Sequence, residues 1–459
     1  MSKSEKWTKM IVAAVPCLVF VLWARTNSDS VLGLCGAALS LFLFTALMVQ
    51  LVSPLFRFYA QPDLALADDA LGPRSLRFSF RHPWVKITIA VLLLRVALYV
   101  IAYAVSNRVQ GYSGGIFETL RALWVRTDAP HYLGLAQNGY VTEGDPRFHI
   151  VFFPLYPLLV RGMWYIVRDW FAAAMVLNNI LSVAGAIAFY ELAALDFPRK
   201  DAFRALRYLL IFPAAFFFGA PMTESLFVLL SVMALYFARK RQFLPACVMG
   251  GLAALSRLPG VLLAAPIAME CLADIRTGYL EQPDWRKVWQ KVIRYGLCLL
   301  IVPLGVGIYF YINYAVTGDA FTFLRYQREH WYQSLTWFFS PASYIPQYLA
   351  NALAQGDLRM ALGLYLPNLA AMFLSLLVMF FGVKRLRPSY TVYFLLCFIV
   401  LIGGTWLISA PRYLASAFPL ALSMVFGTRN KTVDVLLSVF YGVLLVVFMG
   451  MFVVGYPIY

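Results

Sequence analysis

Long apolar stretches recur along almost the whole chain, and they constrain its fold more than any other feature. Lipid offers no hydrogen-bond partner to an open backbone group, so such stretches are predicted to be helices that span a membrane. The predicted spans are 8–24, 32–56, 86–106, 172–195, 203–220, 222–238, 243–256, 260–273, 293–314, 360–382, 390–409, 413–427 and 433–455. The sequence therefore predicts an all-α, polytopic integral membrane protein with about 13 spanning helices.

The composition supports this class and argues against a nucleic-acid partner. Hydrophobic residues make up 62% of the chain and charged residues 13%, whereas a soluble domain is about half apolar and about a quarter charged. The net charge is +16. The basic residues fall between the apolar runs rather than in one block, which is typical of retention on cytoplasmic loops.

These basic residues also predict which side of the membrane each loop faces. The clusters are Lys3, Lys6 and Lys9; Arg57, Arg74, Arg77, Arg81 and Lys86; Arg199, Lys200, Arg204 and Arg207; Arg239, Lys240 and Arg241; Arg276, Arg286, Lys287 and Lys291; Lys384, Arg385 and Arg387; and Arg429 and Lys431. All fall on the inner side if the segment 150–168 does not cross. Arg161 and Arg168 share one face of that segment, which predicts an amphipathic helix at the outer interface.

With this orientation, the loops 107–171 and 315–359 lie outside, and an acid in the first of them is a candidate catalytic base. Asp128 stands in RTDAPHYLGLAQNGY, residues 126–140. It is either a general base on the outer face or the N-cap of a helix that begins with Ala129 and Pro130. The two interpretations are compatible, because a helix N-terminus favours a carboxylate.

Three further charged residues fall at predicted outer ends of helices. Glu224 begins an apolar run, either as a first-turn acid that complements the helix dipole or as part of a site. Arg257 lies at a break between two apolar helices, and Arg412 begins a later one. Each arginine either extends to the interface or binds a carboxylate or phosphate, which the guanidinium fork suits.

No cofactor or metal is predicted. His131, His149 and His330 lie in the outer loops, but no pair has the spacing of a metal site. The sequence contains no GxGxxG, no P-loop and no DxD element, so a nucleotide or nucleotide-sugar site is not supported.

Six motifs occur in a characteristic order. They are TDAPHYLGLAQNGY at 127–140, FFPLYPLLVR at 152–161, TESLFVLLSVMALY at 223–236, ALSRLPG at 254–260, NYAVTGDAFTFL at 313–324 and PRYLASAFPL at 411–420. Over about residues 86–427, the chain resembles the PIG-V type of GPI mannosyltransferase 2, glycosyltransferase family 76, in the GT-C superfamily of integral membrane glycosyltransferases. It looks like a prokaryotic relative. It departs from the usual pattern at Thr127, where the family has Trp, and at 256–259, where it often has Arg-Ser-Asn.

The resemblance implies a GT-C-like helical bundle that transfers mannose, or a similar hexose, from a polyprenyl-phosphate sugar with inversion. It implies Asp128 as the base and Arg257 and Arg412 on the departing phosphate. The remaining substrate-binding candidates are His131, Tyr132, Glu224 and His330. The acceptor is a glycan, a glycolipid or a protein, and membrane lipids surround the enzyme.

The predicted organisation follows from the extent of the resemblance. Residues 1–85 form two N-terminal helices and a cytoplasmic loop, 86–427 the catalytic domain and 428–459 a C-terminal helix. The expected location is a prokaryotic inner membrane with the site on the extracytoplasmic face. The alternatives are a lipid-linked oligosaccharide flippase or transporter, and an outer-face oligosaccharide ligase. The lack of an inverted sequence repeat argues against a transporter.

Overall fold

The protein is helical throughout the part that the structure describes. A computed structural model describes residues 3–27, 30–60, 82–111 and 115–459. Within these ranges the only β pairing is a single antiparallel bridge between Leu335 and Gly404. Arg74, Arg77 and Arg81 of the predicted cytoplasmic loop lie outside the described residues.

The helices divide at the break that carries Arg257. Those before it are α1 (Lys3–Ala24), α2 (Val31–Ala60), α3 (Pro83–Gln110), α4 (Ile116–Trp124), α5 (Ala129–Asn138), α6 (Leu155–Val167), α7 (Trp170–Asp196), α8 (Arg199–Leu210), α9 (Glu224–Arg239) and α10 (Phe243–Ser256). Those after it are α11 (Ala264–Glu281), α12 (Trp285–Leu299), α13 (Ile301–Thr317), α14 (Thr322–Glu329), α15 (Pro341–Ala354), α16 (Leu358–Met360), α17 (Leu366–Gly382), α18 (Pro388–Ile402), α19 (Ala410–Ala415), α20 (Pro419–Gly427) and α21 (Lys431–Val454).

Eight helical segments of the described chain are long and apolar enough to cross a membrane. They are Lys3–Ala24, Val31–Ala60, Pro83–Val109, Trp170–Asp196, Leu258–Glu281, Trp285–Thr317, Leu358–Gly382 and Lys431–Val454. The multi-pass, all-α architecture is thus confirmed, whereas the count of 13 is not. The apolar stretches 203–220 and 413–427 are broken into short helices, and α9, α10 and α18 have 16, 14 and 15 residues.

The segment 150–168 is not a straight helix. A 3₁₀ turn at Asp145–Val151 precedes α6, and the two are bent by 112°. The 13 residues of α6 extend about 20 Å at 1.5 Å per residue, short of the ~30 Å hydrocarbon core. Tyr156 and Val160 are buried, whereas Leu158 and Ile166 are exposed. This two-faced helix fits the predicted position at the interface.

A central group of helices, α7, α9, α10 and α13, forms the most closely packed part of the protein. Small residues permit the approach of α10 to α13. A Cβ added to Gly305 would lie 2.1 Å from the carbonyl oxygen of Gly251, so neither backbone could remain in place with a larger residue there. The break before α9 and the break after α10 both lie at the edge of this group, and they carry the charged residues described next.

Candidate active site

Four of the predicted residues meet in an acid–arginine cluster, which consists of Asp128, Glu224, Arg257 and Arg412. Glu224 Oε1 accepts hydrogen bonds from Arg412 Nε at 2.6 Å and from Arg257 Nη1 at 3.0 Å. Arg412 Nη1 lies 2.7 Å from Asp128 Oδ2. Residues almost 300 positions apart in the sequence therefore form one network of ion pairs.

Asp128 precedes α5, but its side chain does not cap that helix. The carboxylate makes no hydrogen bond to the first-turn amides, and the backbone of Asp128 is already helical, with φ −82° and ψ −16°. Asp128 thus stands at the N-cap position, and its carbonyl accepts from the amides of His131 and Tyr132, but the capping by its side chain that the sequence suggests is absent. The Asp128 side chain is 33% exposed. Its second oxygen, Oδ1, makes no hydrogen bond within the described chain.

Thr127, the residue before it, adopts φ +53°. A β-branched side chain is disfavoured in this left-handed region by about 1–3 kcal/mol, and such strain concentrates at functional sites. Sequence reasoning identified Thr127 only as a departure from the family pattern. Its conformation has no signal in the sequence.

Glu224 is fully buried and begins α9 directly after an irregular stretch, residues 211–223, which contains no α-helix and only a short 3₁₀ helix at Ala215–Gly219. Five carbonyl-holding side chains satisfy the backbone of this stretch. Arg95 donates to Ala215, Tyr99 to Gly219, Asn178 to Ala220 and Met222, and both Ser182 and Ser225 to Phe218. Irregular backbone at membrane depth requires such partners, and here they fix the start of α9 and hence Glu224.

Arg257 lies in extended backbone between α10 and a 3₁₀ turn at Leu258–Leu263. Pro259 disfavours continuation of the helix through the preceding residue. A Cβ on Gly260 would lie 2.2 Å from Ala253, so the turn returns close against α10. The Arg257 side chain is 14% exposed and paired with Glu224, which is a different environment from an arginine that only extends to the interface. Its Nε and Nη2 make no hydrogen bond in the described chain.

Arg412 belongs to the short helix α19 and is buried, with 3% of its side chain exposed. It contacts both acids and its guanidinium lies over the ring of Phe217 at 5.2 Å. Two of its nitrogens are therefore already occupied by carboxylates, and this arrangement favours a positioning role. Phosphate binding by Arg412 stays a prediction.

Tyr132 and His131, which lie one turn into α5, extend the site. Tyr132 is 6% exposed and packs edge-to-face against Phe152 and Tyr156. Burial, and then the charge of Asp128, raise the pKa of Tyr132 above its usual range. The phenol therefore stays protonated at neutral pH and can only donate its proton in a hydrogen bond to an anion.

The histidines form a separate group beside the acids. His131 Nδ1 and His149 Nε2 are 2.9 Å apart. Burial lowers the pKa of both rings, and for His149 the value falls to about 4. His330 is exposed and stacks on Phe148, with ring centroids 3.8 Å apart, so the described structure does not place it in the acid–arginine cluster.

These histidines do not assemble a metal centre in the described chain. No group of three or more His, Cys, Asp or Glu side chains is placed to hold an ion. That the protein requires no cofactor or metal stays a prediction from the sequence.

The sequence has two similar proteins of known activity class. It is 28% identical over 228 residues to GPI mannosyltransferase 2 of Schizosaccharomyces pombe, an alignment that covers 47% of each chain. It is 30% identical over 138 residues to GPI alpha-1,6-mannosyltransferase 2 of Rattus norvegicus, covering 27% of each. The chain thus spans about half the length of the yeast relative and about a quarter of the rat relative.

The chain resembles GPI mannosyltransferase 2. The resemblance predicted from the six motifs is therefore confirmed. No protein-family model matches the sequence.

Among solved structures, an archaeal oligosaccharyltransferase from Archaeoglobus fulgidus, in complex with an inhibitory peptide and a dolichol-phosphate, is similar at 13% identity with a TM-score of 0.39. The match covers 83% of this chain and 56% of that one.

In this GPI mannosyltransferase 2-like chain, the sequence does not predict the side chains that donate hydrogen bonds to the carbonyls of residues 211–223. Asn178 and Asn179 are adjacent polar residues in the apolar helix α7, a setting in which asparagine commonly makes interhelical hydrogen bonds. Asn178 instead donates to the irregular backbone before α9, whereas Asn179 donates to Met175 in its own helix and to Tyr99 of α3. A polar residue in an apolar helix signals a partner, but the sequence does not show which backbone atom it is.

Proposed function

We propose that this protein is a membrane glycosyltransferase. It moves a hexose, with mannose as the first candidate, from a polyprenyl-phosphate sugar to an acceptor glycan, glycolipid or protein, and it inverts the anomeric centre. The site faces the extracytoplasmic side of a prokaryotic inner membrane. The similarity to the two mannosyltransferases supports the reaction class.

The geometry of Asp128 is the observation that carries this proposal. Arg412 holds one carboxylate oxygen at 2.7 Å, while the other is without a partner in the described chain. The side chain is partly exposed, unlike that of Glu224, which is buried. Of the two acids in the cluster, only Asp128 can therefore receive a proton from a molecule that arrives from outside.

In the proposed reaction the acceptor hydroxyl attacks C1 of the hexose as Asp128 removes its proton. The bond between C1 and the phosphate oxygen breaks, and polyprenyl phosphate leaves with the electron pair. Arg257 has two nitrogens free to stabilise the charge that develops on the phosphate. Tyr132 remains protonated and can donate a hydrogen bond, while Arg412 positions the base.

The proposed donor is a substrate that is available to a site on the outer face of the membrane. A lipid-linked sugar enters sideways from the bilayer and needs no nucleotide pocket, which agrees with the absence of nucleotide-binding motifs from the sequence. The test uses the purified full chain in lipid nanodiscs with radiolabelled polyprenyl-phosphate mannose, and membrane extract as the source of acceptor.

We expect label to move to acceptor material and polyprenyl phosphate to accumulate. GDP-mannose, in the absence of any lipid carrier, should give no product. Transfer directly from GDP-mannose would contradict the proposed donor, and failure to consume the lipid-linked sugar would contradict the reaction.

Arg257 provides a second test, because its proposed role depends on charge. Arg257→Ala should lower turnover by roughly 100-fold or more, the size of effect seen when one stabilising donor is removed. Arg257→Lys should be milder, since a point charge remains. The control is Arg276→Ala, an exposed arginine towards the end of α11 that is remote from the break with Arg257. Equal losses in the Lys and Ala variants would argue against a phosphate role.

A further inference from the structure

A cavity opens beside the acid–arginine cluster, and the proposed donor chemistry does not use it. Its volume is about 400 Å³, and its lining includes Arg126, Thr127, Asp357, Arg359 and Tyr456. This volume is within the ~300–1,000 Å³ of small-molecule sites. Thr127 is joined directly to Asp128, so one wall of the cavity is a single residue away from the proposed base.

Both arginines of the cavity are anchored by the end of α21. Arg126 Nη1 donates to the carbonyls of Phe452 and Val453 at 3.1 and 2.8 Å. Arg359 Nη2 donates to the carbonyl of Gly455. Arginines commonly satisfy the last carbonyls of a helix in this way, and these contacts account for the position of the two side chains.

The anchoring contacts leave part of each guanidinium unused. Arg126 Nη2, and Nε and Nη1 of Arg359, have no hydrogen-bond partner among the described residues. Asp357, which also lines the cavity, makes no ion pair with either arginine among the described residues, and its Oδ1 accepts from the Met360 amide at 3.0 Å. The cavity therefore presents two fixed cations with free N–H groups.

We propose that this cavity is the acceptor subsite and that it takes an acceptor whose headgroup carries a phosphate. This assignment rests on the proposed function. Guanidinium groups bind phosphate through paired hydrogen bonds. The ring of Tyr456, 6.0 Å from the guanidinium carbon of Arg359, supplies an apolar face for a sugar ring. A phosphate held there would share the cavity with Thr127, the residue that precedes Asp128.

The test is direct binding of a defined probe to the full chain in phosphatidylcholine nanodiscs. Mannose 6-phosphate is the probe, and mannose is its neutral counterpart. Titration calorimetry should show mannose 6-phosphate binding at least tenfold more tightly than mannose. The affinity should fall as salt is raised, because the attraction is electrostatic.

Variants identify the cavity as the binding site. Arg359→Gln should weaken mannose 6-phosphate binding about tenfold or more, and Arg359→Lys should weaken it less. Arg126→Gln is the second variant. The matched control is Arg328→Gln, which removes a charge from an exposed arginine of the second outer loop and should leave the affinity unchanged.

Two results would overturn the assignment. One is equal affinity for mannose and mannose 6-phosphate. The other is unchanged phosphate binding in folded Arg359→Gln and Arg126→Gln proteins. Wild-type consumption of polyprenyl-phosphate mannose is measured in parallel: consumption without probe binding refutes the subsite alone, whereas probe binding without consumption refutes the proposed function and the acceptor assignment with it.

Discussion

At the scale of single residues, one buried arginine shared between two acids defines the site. Arg412 joins Asp128 and Glu224, and Glu224 joins Arg412 to Arg257. Breaking a buried ion pair by removal of one partner typically costs about 3–5 kcal/mol, because a charge is left without compensation. Asp128 is partly exposed and Arg412 keeps its ion pair with Glu224, so removing the charge of Asp128 should cost less stability than removing either buried partner.

Asp128→Asn should therefore reduce turnover by about 100-fold or more while expression and unfolding temperature stay near those of the wild type. The amide preserves the shape but cannot accept a proton. No helix cap is lost, since the Asp128 side chain does not cap α5. Transfer from polyprenyl-phosphate mannose measures the effect. The control is Asp145→Asn, an exposed acid of the same outer segment; more than a tenth of wild-type activity in the Asp128 variant would place the base elsewhere.

The histidine pair predicts a pH dependence of stability. Burial holds the pKa of His149 at about 4 and that of His131 below the ordinary 6.5. Between these values the unfolded chain binds more protons than the folded one, so stability falls as the pH is lowered from 6.5 toward 4. Unfolding temperature measured across this range should show the decline, and His149→Gln should flatten it. An equally steep decline in the variant would assign the effect to other groups.

At the scale of elements, the site depends on breaks in helices rather than on the helices themselves. Glu224 follows the irregular stretch 211–223, Arg257 occupies the break after α10, and Arg412 lies in a helix of six residues. Side chains that donate to its carbonyls hold the first break, and a glycine that allows close approach to α10 forms part of the second. Substitution of residues that do not contact the acid–arginine cluster can therefore change the positions of its side chains.

Asn178 gives the sharpest test of this dependence. Asn178→Ala leaves the Ala220 and Met222 carbonyls without their donor, which costs roughly 1–3 kcal/mol for each buried group. We expect a lower unfolding temperature and, in the protein that remains folded, a fall in kcat of about tenfold or more with a smaller change in KM. Asn179→Ala is the comparison variant: it removes the hydrogen bond to the Tyr99 hydroxyl but leaves the contacts of Tyr99 and Asn178 with this stretch, so it should keep most of its activity. Similar kcat values for both variants would separate Asn178 from the site.

At the scale of the whole molecule, the membrane orientation decides which substrates the site can reach. The acid–arginine cluster is built from the first outer loop, the start of α9, the break after α10 and the start of α19. The positive-inside rule predicts that all four positions lie on the side opposite the basic clusters. The side itself remains a prediction from the positive-inside rule.

Cysteine labelling tests this orientation in intact cells. In a background without the six native cysteines, Glu143→Cys should react with a membrane-impermeant reagent, while Lys200→Cys and Lys384→Cys should react only after permeabilisation. All three positions are exposed, so accessibility is set by the side of the membrane. Labelling of the two lysine positions in sealed cells, without labelling at 143, would invert the topology.

The sequence alone determined the class of the protein and the residues that carry charge in its site. Apolar stretches in lipid must form helices, because a helix satisfies its own backbone hydrogen bonds. This requirement applies to every residue of such a stretch, so the sequence alone reveals it. Asp128, Glu224, Arg257 and Arg412 stood out for a similar local reason, since charge at a helix end in a membrane is costly without a partner.

Only the tertiary structure decided which apolar stretches are continuous helices and how the charged residues pair. The run 203–220 is apolar enough for a span, yet its helix ends at Leu210, shortly before Pro213, and side chains of α3 and α7 satisfy carbonyls of the stretch that follows. Asp128 precedes a helix, yet its carboxylate binds Arg412 rather than the helix amides. These outcomes depend on partners distant in the sequence, and hydrophobicity and spacing describe only neighbours along the chain.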